Sequence, residues 1–333
     1  MKKLVGIVAF LLLIYAVDLV GHEGARSLDN HLNVARRIGL YGVVGLGAGI
    51  LIISGGMDLS IGSAVGLCAT LLAILVKQRG WPPPAAIAAI IALGCLMGLV
   101  HGLLVTKLKV QAFVVTLCGL FIYRGLARWV ANDQPMGLAN DFEIWKYWLY
   151  RSKDILGLPM SVIYLTILAI AATLFLHMSI YGRYLSAIGN NERAVRYSGI
   201  AVDRYKILAY VICSCCAAIY SVLYLMQENS VQPSDAGSFL ELYAIAAAVL
   251  GGCSLRGGEG TIAGILIGTA ILRILQNLVN MWKIPSSLEY AVIGIALLLG
   301  AILDETLRRQ RAQRRSAADV DEKKLPADAA AGS

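Results

Sequence analysis

Apolar residues run along this chain in long unbroken stretches and do not alternate with polar ones. Residues 4–17 and 87–100 carry no charged side chain. A chain in lipid must pair its backbone groups internally, so only helices or a closed barrel can cross a bilayer. Barrel strands alternate apolar and polar over about ten residues, so continuous runs specify helices. Spans are predicted near residues 4–20, 34–54, 60–77, 84–105, 110–131, 160–179, 206–226, 240–254, 260–279 and 286–303. The pattern predicts an all-α polytopic membrane protein with about ten transmembrane helices. A transmembrane domain over residues 1–304 precedes a basic tail, 305–333, for which disorder is expected.

Composition agrees. Hydrophobic residues make up 58% of the chain and charged ones 15%, against about 45–50% and about 25% in soluble domains. The net charge of +8 would suit a nucleic-acid partner only if the basic residues formed a stripe with interleaved aromatics. They form none, and much of the excess lies in the tail, so no nucleic-acid partner is expected. Basic residues gather on cytoplasmic loops. With the N-terminus in the cytoplasm, the inner segments hold Lys107, Lys109, Arg183, Arg193, Arg196, Arg204, Lys206 and the Arg308, Arg309, Arg311, Arg314, Arg315 cluster. An even number of spans then places the C-terminus inside too. Lys2 and Lys3 before an apolar run resemble a signal peptide, but no small-x-small cleavage site follows, so the run is read as a retained first span. The outer loop 132–159, with Trp145, Tyr147, Trp148 and Tyr150, suits a helix at headgroup level.

Catalytic chemistry is sparse. All seven cysteines lie in or beside apolar runs, and the Cys213, Cys215, Cys216 group lacks the His or acid that a metal site needs, so packing is its expected role. No metal and no cofactor are expected. Gly252, Gly257, Gly258 and Glu259 have the spacing of a phosphate loop without its Lys and Ser/Thr. No hydrolase motif occurs, and His22, His31, His101 and His177 are scattered. Asp58, Arg124, Arg128, Glu241 and Arg273 lie in or near spans, where charge faces protein or water rather than lipid. Asp58 is read as a cap for the following helix in preference to a proton relay. The segments Gly55-Gly56-Met57-Asp58-Leu59-Ser60-Ile61-Gly62 and Gly251-Gly252-Cys253-Ser254-Leu255-Arg256-Gly257-Gly258 share one pattern. Such echoes mark either repeated units with interrupted helices or two convergent tight turns. Thr116, Gln276, Asn277 and Asn280 are candidates for lining a solute path, or for joining helices.

The loop at 180–205 is the longest predicted cytoplasmic one between spans. Asn190 can cap a short helix there, Glu192 suits its positive end, Arg196 its negative end, and Gly199 the left-handed stop. A self-capped surface helix between two spans fits a docking element. An amphipathic connector is the plainer alternative.

Several stretches together resemble the membrane subunit of ribose-type ABC importers, which include permeases for other sugars and autoinducer-2. Branched-chain amino acid permeases are more distant relatives. The matching stretches are the first glycine segment through Ser63, Phe113-Val114-Val115-Thr116-Leu117 with Tyr123-Arg124-Gly125, residues 182–200, and Gln232-Pro233 with residues 243–252. Asn277, Asn280 and Asp304 also fall where that pattern has polar residues. The match reaches from about residue 40 to 304. Three features depart from it: the long aromatic outer loop, the Arg-rich tail, and Met57 in place of another aliphatic residue.

The resemblance implies a permease subunit of a binding-protein-dependent importer for a sugar or sugar-like solute in the bacterial cytoplasmic (inner) membrane. Its partners would be cytoplasmic ATP-binding subunits, an extracytoplasmic solute-binding protein and a second permease chain, identical or different. ATP hydrolysis would belong to a partner, so this chain would not be an enzyme. Asn190, Asn191, Glu192, Arg193, Ala194, Arg196 and Gly199 would form the coupling helix toward the ATPase, with Gly55, Gly56, Asp58, Gly251 and Gly252 in structural turns. A secondary active transporter or channel for a small polar solute is the alternative. It would need ion ligands near the midplane or a polar pore, and the spans offer only scattered Thr, Asn and Gln.

Overall fold

A computed structural model describes residues 2–138, 143–146, 150, 157–285 and scattered positions up to 298. Residues up to Lys283 form one unit, and those from Ile284 on form another. In the first unit the helices are α1 (Lys2–Gly21), α2 (Leu28–Ile53), α3 (Ile61–Lys77), α4 (Pro83–Thr106), α5 (Ala112–Val130), α6 (Glu143–Lys146), α7 (Met160–Thr173, continued by a π turn Leu174–Met178), α8 (Ile180–Tyr197), α9 (Val202–Glu228), α10 (Leu240–Leu250) and α11 (Ile262–Met281). Two short strands, β1 (Met136–Gly137) and β2 (Ser230–Val231), pair antiparallel. In the second unit, Leu288 donates to the Pro285 carbonyl in a tight turn.

The chain is a helical, multi-pass membrane protein. Six of the described helices are long and apolar enough to cross a bilayer: α2, α4, α5, α7 with its π turn, α9 and α11. Three shorter apolar helices, in α1, α3 and α10, accompany them. The expected span at 286–303 and the basic tail lie largely or wholly outside the described residues, as does most of the aromatic loop around α6.

α2 forms the centre. It is buried from Gly39 through Ile53 except at Tyr41, with α7, α9, α10 and α11 around it. Close approach needs a small residue. A Cβ on Gly47 would lie 2.8 Å from Cβ of Cys216 and 3.1 Å from the Cys213 carbonyl oxygen on α9. The two cysteines therefore pack, as expected, and no group of metal-binding side chains occurs among the described residues. Buried hydroxyls return to their own helices: Thr70 bonds the Gly66 carbonyl and Thr269 that of Ile265.

Two helices begin inside the bundle. α10 has 11 residues, about 16 Å at 1.5 Å per residue, half of a hydrocarbon core about 30 Å thick. The turns before it expose carbonyls, and the Arg124 guanidinium bonds two of them, on Pro233 (3.1 Å) and Ala236 (2.7 Å). That gives the charge on α5 its structural task. α3 likewise starts after the irregular residues 54–60. Gly62 of α3 and Gly237 before α10 touch backbone to backbone, with no room for a Cβ on either. The two helix breaks thus face one another.

Candidate functional site

Both glycine segments converge on one helix. Gly55 follows α2 and Gly252 follows α10, each with left-handed backbone (φ +78° and +86°) that glycine adopts without penalty. A Cβ on Gly257, in the second segment, would lie 2.9 Å from Cα of both Gly55 and Gly189. Gly189 sits on α8, where a Cβ would collide with the Ile53 carbonyl and the Gly258 nitrogen. Gly258 donates to the Ile53 carbonyl at 2.9 Å. The end of α2, the α10–α11 connection and α8 are joined here through backbone alone.

Just past this junction α8 kinks. Asn191 leaves helical geometry (φ −156°, ψ 90°), and its Oδ1 accepts from the Ala194 N–H at 3.0 Å. The cap expected at Asn190 is therefore Asn191, since a cap must itself be non-helical. Asn190 belongs to the preceding turn and donates to the Ser186 carbonyl at 3.0 Å. The stop lies where expected: Gly199 has φ +80° and its N–H bonds the Arg196 carbonyl at 3.1 Å.

The charges of this short helix are mostly used within the chain. Glu192 accepts from Lys206 (2.6 Å) and Arg196 (3.0 Å), and Arg196 also pairs with Asp203 (2.9 Å). Burial pushes the Glu192 carboxyl up, but the hydrogen bonds and charges of Lys206 and Arg196 outweigh it and hold the group below its ordinary value. Arg193 makes no ion pair among the described residues. Val195 is buried, whereas Arg193, Ala194 and Tyr197 are exposed, Tyr197 by 90%. Tyr197 was not among the expected residues. Its signal was an aromatic two residues before the stop of a polar helix.

A polar cleft of ≈ 470 Å³ lies at the other end of the bundle, lined by Asn30, Asn33, Arg36, Arg37, Tyr150, Gln227, Asn277 and Asn280 among others. It gathers Asn277 and Asn280, two of the four predicted path residues, and leaves out the others. Thr116 is fully buried and donates to the Ala112 carbonyl of its own helix, and Gln276 accepts from Arg273. Asn277 also joins helices, donating to Asp18 on α1 at 2.9 Å. The additional members Asn30, Asn33 and Arg37 recur at helical spacing on the first turns of α2, a polar start to an apolar helix that could have revealed them. Arg273, 1% exposed, lies over the rings of Tyr41 (3.7 Å) and Tyr243 (4.9 Å), which places its charge in a cation–π sandwich.

Asp58 does not cap α3 as expected. Ser60 stands at the N-cap, and Asp58 Oδ1 accepts instead from the Ser60 N–H (2.8 Å) and hydroxyl (2.6 Å), fixing the turn that leads into the helix.

Residues 30–301 match the family described as branched-chain amino acid transport system / permease component. The chain is 35% identical over 300 residues to the ribose import permease protein RbsC of Escherichia coli (strain K12), covering 90% of this chain and 92% of that one. It is 33% identical over 305 residues to RbsC of Bacillus subtilis (strain 168), covering 91% and 93%. It is 30% identical over 343 aligned positions to the xylose transport system permease protein XylH of Escherichia coli (strain K12), covering 85% and 86%. No solved structure matches the chain.

Proposed function

Because this chain belongs to the family of branched-chain amino acid transport system permease components, we propose that it is the membrane-spanning permease subunit of an ABC importer for a sugar or sugar-like solute. Relatives named for ribose and xylose import support that solute class. ATP hydrolysis then resides in cytoplasmic ATP-binding subunits, an extracytoplasmic binding protein delivers the solute, and a second permease chain completes the path.

The observation that carries the mechanical reading is the glycine junction. A docked ATPase can move a membrane path only through a stiff connection. The helix over residues 192–197 has its own cap and stop, and the turn before it is packed backbone to backbone on the end of α2 and on the connection that starts α11. Force applied at Arg193, Ala194 and Tyr197 reaches two central helices without passing through flexible side chains. In this reading α8 faces the cytoplasm, both termini are cytoplasmic, and the polar cleft opens outward. Amides and a phenol in that cleft suit the hydroxyls of a sugar.

The test is uptake by proteoliposomes containing this chain with candidate ATP-binding and solute-binding proteins. Sugar uptake that requires ATP and stops when the ATPase nucleotide site is disabled supports the proposal. Uptake driven by an ion gradient without ATP would instead assign the chain to the secondary transporters.

A further inference from the structure

Asp58 has a partner distant in sequence. Its Oδ2 lies 3.7 Å from Nδ1 of His101 on α4, and Nε2 of that ring is 3.0 Å from the Tyr123 hydroxyl on α5. The groups are enclosed: Asp58 is 3% exposed and His101 2%. Tyr210 of α9 closes one side, its ring edge-on to the imidazole and its hydroxyl on the Met57 carbonyl at 3.3 Å. The Gly119 backbone closes another, where a Cβ would lie 2.8 Å from His101 Nε2. Nδ1 of His101 has no hydrogen-bond partner among the described residues. At 3.7 Å the two groups are within ion-pair range and beyond hydrogen-bond range.

Charge balance decides what such a pair holds. An ionised carboxylate beside a neutral imidazole would be a buried net charge, with the donors of Ser60 on one oxygen only, a costly arrangement. One proton removes that cost by making the imidazole the counter-ion of the carboxylate 3.7 Å away. The surrounding elements do not supply the missing charge. Cys68 on α3, Tyr123 on α5, and Tyr210 and Cys213 on α9 bear none at neutral pH. Arg124 interacts with Glu241 on α10 and with the Pro233 and Ala236 carbonyls. A metal ion would need a third ligand, and no group of three His, Cys, Asp or Glu forms a site among the described residues.

We propose that Asp58 and His101 form a proton-binding site in the membrane part of the protein. The pair takes one proton from bulk water while residues 54–60 are seated against α4, and returns it to water when that segment moves away. Gly55, three residues before Asp58, lies in the junction with Gly189 of α8. A displacement of α8 therefore reaches the proton site through the same short segment. The site is defined by its geometry and does not depend on which solute is carried.

The test is titration of the histidine rings by ¹⁵N NMR on the purified permease in nanodiscs, with the His101 signal assigned by its loss in His101→Gln. The His101 ring should take up a proton within the pH range over which the permease stays folded, and that step should differ in the isosteric Asp58→Asn variant. Tyr123→Phe, which keeps the pair, serves if Asp58→Asn does not fold, and should displace the His101 signal while retaining its titration. A ring that does not titrate over that range, or a midpoint indifferent to Asp58→Asn, would overturn the proposal.

Discussion

Gly258 donates its backbone N–H to the carbonyl of Ile53 at 2.9 Å, and Gly189 of α8 is wedged beside that bond with no space for a side chain. An unpaired carbonyl at the end of α2 is thus satisfied by a turn from a different part of the chain. Adding any atom to Gly189 must part the two.

That sets the first prediction. Gly189→Ala should destabilise the purified permease by about 1–3 kcal/mol, the usual cost of overpacking, seen as a lower thermal midpoint in detergent. Gly125→Ala, where nothing lies within 4 Å of the new Cβ, is the control and should leave the midpoint unchanged or slightly higher. Equal midpoints for the two variants would remove the junction from the account.

The cap prediction separates two neighbouring asparagines. Asn191→Ala removes the acceptor of the Ala194 N–H and should cost about 1 kcal/mol of local helix stability. Hydrogen exchange over residues 192–198 should speed up roughly five-fold in that variant. Asn190→Ala should leave this segment unchanged, because its bond is to the preceding turn.

Acid should loosen the same helix. Glu192 has a lowered folded pKa, so its contribution is present above the unfolded carboxylate value and is lost as pH falls through the lower folded one. Exchange over residues 192–198, corrected for intrinsic rates, should be flat near neutral pH and rise in acid below the ordinary carboxylate range. Glu192→Gln should flatten this rise. A wild-type profile that stays flat in acid would show that the Lys206 and Arg196 bonds add nothing.

Asn277 has two roles that one pair of variants can separate. Asn277→Leu strips the bonded oxygen of Asp18 of its donor while the other already lacks one, and should cost about 1–3 kcal/mol. Adding Asp18→Leu removes the stranded carboxylate and should restore much of the stability. Uptake should stay impaired in the stable double variant if the cleft lies on the path. Recovered uptake would make Asn277 only a joint between α1 and α11.

Local patterns were legible in the sequence, and convergence was not. Apolar runs disclosed α2, α4, α5, α7, α9 and α11 because each carries a continuous apolar stretch long enough to cross a bilayer. The stop at Gly199 was readable because its left-handed backbone favours glycine. The cap was misplaced by one residue because Asn190 and Asn191 are chemically identical, and only backbone geometry tells them apart. His101 looked scattered because its partner Asp58 comes from another element. Residue type alone does not show that Thr116 and Gln276 bond within their own helices. The similarity of the two glycine segments was visible, but their meeting at Gly189 arises only from packing.

If residues 192–197 couple this chain to an ATPase, a substitution on their exposed face must break that coupling. Ala194→Arg adds bulk and charge to the exposed face of that helix without touching a span. In the assembled transporter, reconstituted with its ATP-binding subunits and solute-loaded binding protein, this variant should lose the ATPase subunits or show ATP hydrolysis that no longer rises when binding protein is added. An Ala194→Arg complex that stays assembled and is stimulated as strongly as wild type would contradict the account and leave α8 a connector between two spans.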